Sequence, residues 1–76
     1  MLRMSAGKLE SVVTAGYGES TYHDVKVLEF DPGANSFVGS VWDGNFGPDD
    51  NTITLRVPYQ SVVDKFGEAA AVSAAS

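Results

Sequence analysis

The chain has 76 residues and a mass of 8.0 kDa, enough for one small domain with no second core. Hydrophobic residues make up 43% and charged residues 20%, a globular balance. The absence of cysteine removes disulfides and thiolate metal sites, and the single histidine removes sites built on paired imidazoles. Ten acidic against five basic residues leave a net charge of -5, which opposes direct binding to a nucleic-acid backbone.

One domain over 1–76 is expected, with 1–6 and 68–76 fraying. No segment is long and apolar enough to cross a bilayer, and Arg3 and Lys8 do not precede the apolar run of a signal peptide. The expectation is therefore a cytoplasmic protein without membrane contact. In the N-terminal third, the Val12-Val13-Thr14 run favours a strand over residues 8–15. A helix over 5–15 is the alternative: Leu9, Val12 and Val13 also fit a helical stripe, with Ser5 as cap and Gly16 as stop. The stretch Ala15 to His23 reads as a polar loop carrying Tyr17 and Tyr22.

A β-hairpin follows. Asp24 to Phe30 and Ser36 to Trp42 are rich in β-branched and aromatic residues. Between them Asp31-Pro32-Gly33-Ala34-Asn35 has turn chemistry, with positive φ expected at Gly33 or Asn35. Val25 and Val27 share one face of the first strand, and Leu28 and Phe30 the other. That pattern fits a strand buried on both sides or bent by a bulge near Val27. After the turn-rich loop Asp43 to Asp50, the segment 51–57 alternates, with Ile53, Leu55 and Val57 expected to face inward. Pro58 ends this strand and opens a helix over 58–66, whose apolar face is Tyr59, Val62, Val63 and Phe66. Lys65 suits the negative end of the helix dipole and Gly67 suits the stop.

The fold class is thus mainly β: a small, strongly bent antiparallel sheet or SH3-like barrel of four to five strands, with a short C-terminal helix near 58–66. The alternative is α+β, with the extra helix near 5–15. The order of elements looks like that of SH3-type barrels, and the segment Arg56-Val57-Pro58-Tyr59-Gln60-Ser61-Val62-Val63 resembles that family's closing turn. The resemblance covers about half the chain. It carries no binding residues over, because the paired tryptophans and acidic loop of a proline-peptide-binding SH3 domain have no recognisable counterpart.

Catalytic chemistry finds little support. His23 is the one candidate base near neutral pH, with Ser20, Thr21 and Asp24 beside it, but neighbours in an extended segment point to opposite faces. Asp43, Asn45, Asp49 and Asp50 offer oxygens to a cation. Counting from Asp43, however, an EF-hand would need glycine where Pro48 stands and glutamate where Thr54 stands. Gly16-Tyr17-Gly18 lacks the lysine and spacing of a phosphate loop. No cofactor, metal or catalytic residue is assigned.

The aromatic residues say more. Phe30, Phe37 and Phe66 fit a core, and Trp42 and Tyr59 fit caps at the barrel ends. Phe46 stands in a glycine-rich loop with no periodic pattern to bury it, and rings on loops suit interfaces. The expected contact set is Asp43, Phe46, Asp49, Asp50, Tyr17 and Tyr22. The function expected is a small acidic, non-catalytic protein-binding module, an inhibitor or adaptor acting on a basic protein; its sharper form is an acidic mimic of nucleic acid. The rival readings are a structural subunit of a homo-oligomer or larger assembly, and an enzyme whose active site forms only between subunits.

Overall fold

A computed structural model of the protein describes residues 1–49 and 51–76. The elements in chain order are β1 (Leu2–Ser5), β2 (Lys8–Tyr17), β3 (Ser20–Asp31), β4 (Ser36–Trp42), β5 (Thr52–Pro58), α1 (Tyr59–Phe66) and α2 (Glu68–Ala75). The five strands form one antiparallel sheet in the order β1-β2-β3-β4-β5. The fold is therefore mainly β. The sheet does not close: among the described residues β1 pairs only with β2, and β5 only with β4. The bent-sheet form of the expectation holds and the closed barrel does not.

The turns explain why the meander forms. Ala6 and Gly7 join β1 to β2 with φ of 51° and 77°, the two positive values that a type I′ hairpin needs. Gly18, at φ 63°, opens the two-residue turn between the paired Tyr17 and Ser20. Between β3 and β4 the left-handed position belongs to Asn35, at φ 49°, and not to Gly33. The Gly33 amide instead donates to the Asp31 side chain at 3.0 Å. Asn35 tolerates this conformation better than most residues, and its carbonyl accepts the Tyr59 amide at 3.0 Å, tying the turn to α1.

Residues 8–15 are strand, so the N-terminal helix is absent. The polar loop expected over Ala15 to His23 is also absent. Both flanks of Gly18-Glu19 are strand, and the β2–β3 register runs unbroken from Leu9↔Leu28 to Tyr17↔Ser20. No bulge interrupts β3 near Val27. The strand instead changes partner, with residues 20–28 pairing with β2 and Glu29 to Asp31 pairing with β4. This handover bends the sheet and lets the β2–β3 and β4–β5 hairpins diverge.

The core lies on one face. Leu9, Leu28, Phe37, Val41, Val57 and Val62 are buried there, and Leu2, Met4, Phe30, Leu55 and Phe66 are partly buried against them. Phe37 stacks with Tyr59 and tilts against Phe30, with centroids 6.4 and 5.2 Å away. Gly39 makes room for this core, since a Cβ there would lie 2.6 Å from Leu28 Cδ2. The termini expected to fray are built into elements. Leu2 and Met4 place β1 over the core, and α2 buries Ala71 and Ala74, small residues that let a helix approach a sheet closely. Ile53 corrects another expectation. It shares the face of Leu55 and Val57 yet is 52% exposed, because the helical layer covers only the Val57 end of β5.

Candidate functional site

The partner handover in β3 leaves an open mouth between the two hairpins. The turn after β2 and the 43–51 loop meet there, around a groove of about 720 Å3 that no helix residue lines. Its walls carry Tyr17, Tyr22, Trp42, Phe46 and Pro48, with His23 and Asp24 of β3 along one side.

Phe46 is the hub. Its ring lies 5.0 Å from Trp42, 5.3 Å from Tyr22 and 5.4 Å from Tyr17, centroid to centroid, tilted or edge-on in each case. These geometries suit aromatic quadrupoles. Phe46 nevertheless remains 46% exposed, and Tyr17 and Tyr22 are also exposed. The loop holds its form by local bonds. The Asp43 side chain accepts the Asn45 amide at 2.9 Å, and the Trp42 indole donates to the Asn45 carbonyl at 2.9 Å. The Asp43 amide donates to the Asn51 carbonyl at 2.8 Å, and the Asn51 side chain donates to the Gly47 carbonyl at 3.2 Å.

Of the residues singled out in the sequence, Tyr17, Tyr22 and Phe46 come together in this groove. Asp43 anchors the loop through its turn, and Asp49 is exposed on it. Asp50 lies outside the described residues. Trp42, His23, Asp24 and Pro48 belong to the same surface and were not in the expected set. Trp42 had a signal in its place next to the loop. His23 was hidden because its segment reads as a loop and proves to be strand, and Asp24 because a strand residue carries no signal of the loop that comes to lie beside it.

The charge here is mainly negative. Asp24 is the acidic residue lining the groove, Glu19 lies in the turn after β2, and Asp43 and Asp49 lie on the Phe46 loop, while Lys26 stands two residues beyond Asp24 on β3. With aromatic faces beside them, such carboxylates favour a cationic, partly apolar ligand. His23 faces Thr14 across the hairpin, with Nδ1 2.9 Å from the threonine hydroxyl oxygen. This is an exposed cross-strand pair, and Asp24 alternates to the other face of the strand.

Comparison with protein-family models, with curated proteins and with solved structures finds no match for this chain.

Proposed function

We propose that the chain is a small non-catalytic module that binds a basic protein, as an adaptor or an inhibitor, through its aromatic, acidic end. One observation carries this reading. Three aromatic side chains, Tyr17, Tyr22 and Trp42, from three separate strands converge on a half-exposed Phe46, with the Asp24 carboxylate on the groove wall and Asp43 and Asp49 on the Phe46 loop. Rings of this kind give large rigid contact area at low entropic cost, and the carboxylates speed encounter with a positive surface.

The test is capture of partners on immobilised protein, identification by mass spectrometry, and comparison of wild type with Phe46→Ala. Affinity measured on the folded fraction should fall by at least about 2 kcal/mol if Phe46 is a contact centre. Stability should also fall, by about 1–2 kcal/mol, because three ring contacts are lost. Lower stability with unchanged affinity would refute the contact role.

A second reading rests on the opposite face of the sheet. Val25 and Val27 point away from the core and are 43% and 49% exposed. A structural subunit could bury them against a neighbouring copy. A solution mass equal to one chain, unchanged by concentration, would remove this reading.

A further inference from the structure

The backbone along the groove is unfinished. Val12 exchanges both its hydrogen bonds with Met1: its amide donates to the Met1 carbonyl at 2.7 Å, and its carbonyl accepts from the Met1 amino group at 2.9 Å. Both polar groups of Val12 therefore point at β1, so Val12↔Val25 is a non-hydrogen-bonded pair across β2 and β3. It follows that Val25 turns its N–H and C=O away from β2. By the two-residue alternation, Thr21 and His23 do the same. Pairing of β3 with β4 is confined to Glu29, Phe30 and Asp31 among the described residues. Thr21, His23 and Val25 thus present three sets of backbone donors and acceptors to an edge that no described strand occupies, and all three residues are exposed.

We propose that this open edge of β3 accepts an extended, arginine-bearing segment of a partner protein as an added strand, lying along the aromatic groove. The inference rests on the reading that the aromatic, acidic end is the contact surface, and it names the partner's form and chemistry. A strand added here sends its side chains alternately to the two faces of the sheet. On one face they meet Tyr22 and Asp24, beside the Phe46 cluster. A guanidinium there stacks on the rings and pairs with the Asp24 carboxylate, and Lys26, two residues along β3 on the same face, confines the basic side chain to the Tyr22 end. On the other face they meet the exposed Val25 and Val27, which suit a small apolar side chain. The matching segment therefore alternates basic and apolar residues.

The probe is a short capped peptide of alternating arginine and valine, titrated into the full chain and followed by calorimetry and amide resonances. Binding should shift the Thr21, His23 and Val25 amides and the Trp42 indole N–H. Methylating alternate peptide nitrogens on the pairing edge should weaken binding about tenfold or more, because the added ladder loses its donors. Val25→Pro should do the same, since it removes an outward N–H while leaving the bonds to β2, and its thermal melt shows whether the fold is retained. Replacing the peptide arginines by glutamate should abolish binding.

Three results overturn the proposal. The first is binding that ignores both N-methylation and Val25→Pro yet is lost in Phe46→Ala, in which case the contact surface stands and strand addition fails. The second is a doubled solution mass without peptide that Val25→Pro abolishes, which makes a second copy the occupant. The third is no binding of the arginine–valine peptide; the broader reading is then decided by the effect of Phe46→Ala on the captured protein, a measurement without the peptide.

Discussion

Adding one methyl group at Gly39 should destabilise the protein. A Cβ there would sit 2.6 Å from Leu28 Cδ2, whereas carbon atoms pack best at about 3.5–4.0 Å. Its other neighbours, Val27 O at 3.6 Å and Leu28 Cα at 3.7 Å, are in ordinary contact, so the conflict is with one side chain. Leu28 is 1% exposed and walled in by the core, so it cannot swing aside freely. Overpacking of this kind costs roughly 1–3 kcal/mol. Against it, alanine reduces the freedom of the unfolded chain and recovers about 0.4–1 kcal/mol. The packing conflict wins, leaving a net loss of about 1–2 kcal/mol for Gly39→Ala. In a domain of this size each kcal/mol moves the melting temperature by about 4–8 °C. Urea and thermal unfolding both read the effect. Leu28→Val, which removes the offending Cδ2, should make a second substitution at Gly39 close to neutral, a coupling that a double-mutant cycle isolates. Equal cost of Gly39→Ala in both backgrounds, or a melt at or above the parent's, would refute the packing argument.

Asn35→Val should cost about 1–2 kcal/mol in chemical unfolding because a β-branched residue resists positive φ, while Asn35→Gly should be near neutral; equal effects would disprove the turn assignment. Phe66→Ala should cost about 2 kcal/mol, short of the roughly 3–5 kcal/mol for a buried ring, and Ile53→Thr less than about 0.5 kcal/mol; a larger loss at Ile53 would mean that its face is covered. The Tyr59 phenol is pushed above its ordinary value of 10.0 by partial burial, then by the charge of Glu68 and a 3.4 Å hydrogen bond to it. The folded state thus holds this proton more tightly than the unfolded chain does. The stabilisation is complete below the ordinary tyrosine range and is lost as pH rises through the folded value. Glu68→Gln should bring forward the Tyr59 phenolate absorbance, read in a Tyr17→Phe, Tyr22→Phe background; an unmoved titration would remove Glu68 as a cause.

What could be read from the residues alone follows from how local each signal is. Strand β4, the turn before it and α1 carry their signals within a few neighbours: β-branched runs, Pro32 with Asn35, and an apolar stripe ending at Gly67. The Ala15–His23 segment misleads because glycines and polar residues also populate exposed strands, where the pairing partner, and not propensity, fixes the conformation. Ile53 misleads for a different reason. Alternation identifies a face of the strand but cannot say whether a second layer reaches that far. In α2 the signal is two alanines three apart, Ala71 and Ala74, which in sequence look like any alanine-rich tail. The site was legible as single residues, Phe46, Tyr17 and Tyr22. Their convergence was not, because it depends on a two-residue turn bringing Tyr17 and Tyr22 opposite the loop.

The return of α2 to the first hairpin has a kinetic consequence. Every strand in the sheet pairs with its neighbour in sequence, so the meander closes only short loops as it forms. The Ser73 hydroxyl, by contrast, donates to the Gly7 carbonyl at 3.4 Å across 66 residues of chain. This closure spans far more chain than any strand pairing in the sheet, and it should come last. During synthesis the sheet can assemble as its strands emerge, but Leu9 and Leu28 stay without the cover of α2 until that helix has been made and docks. The interval between those events is when the nascent protein is most open to misassociation, and its length is set by the arrival of α2 rather than by the speed of strand pairing.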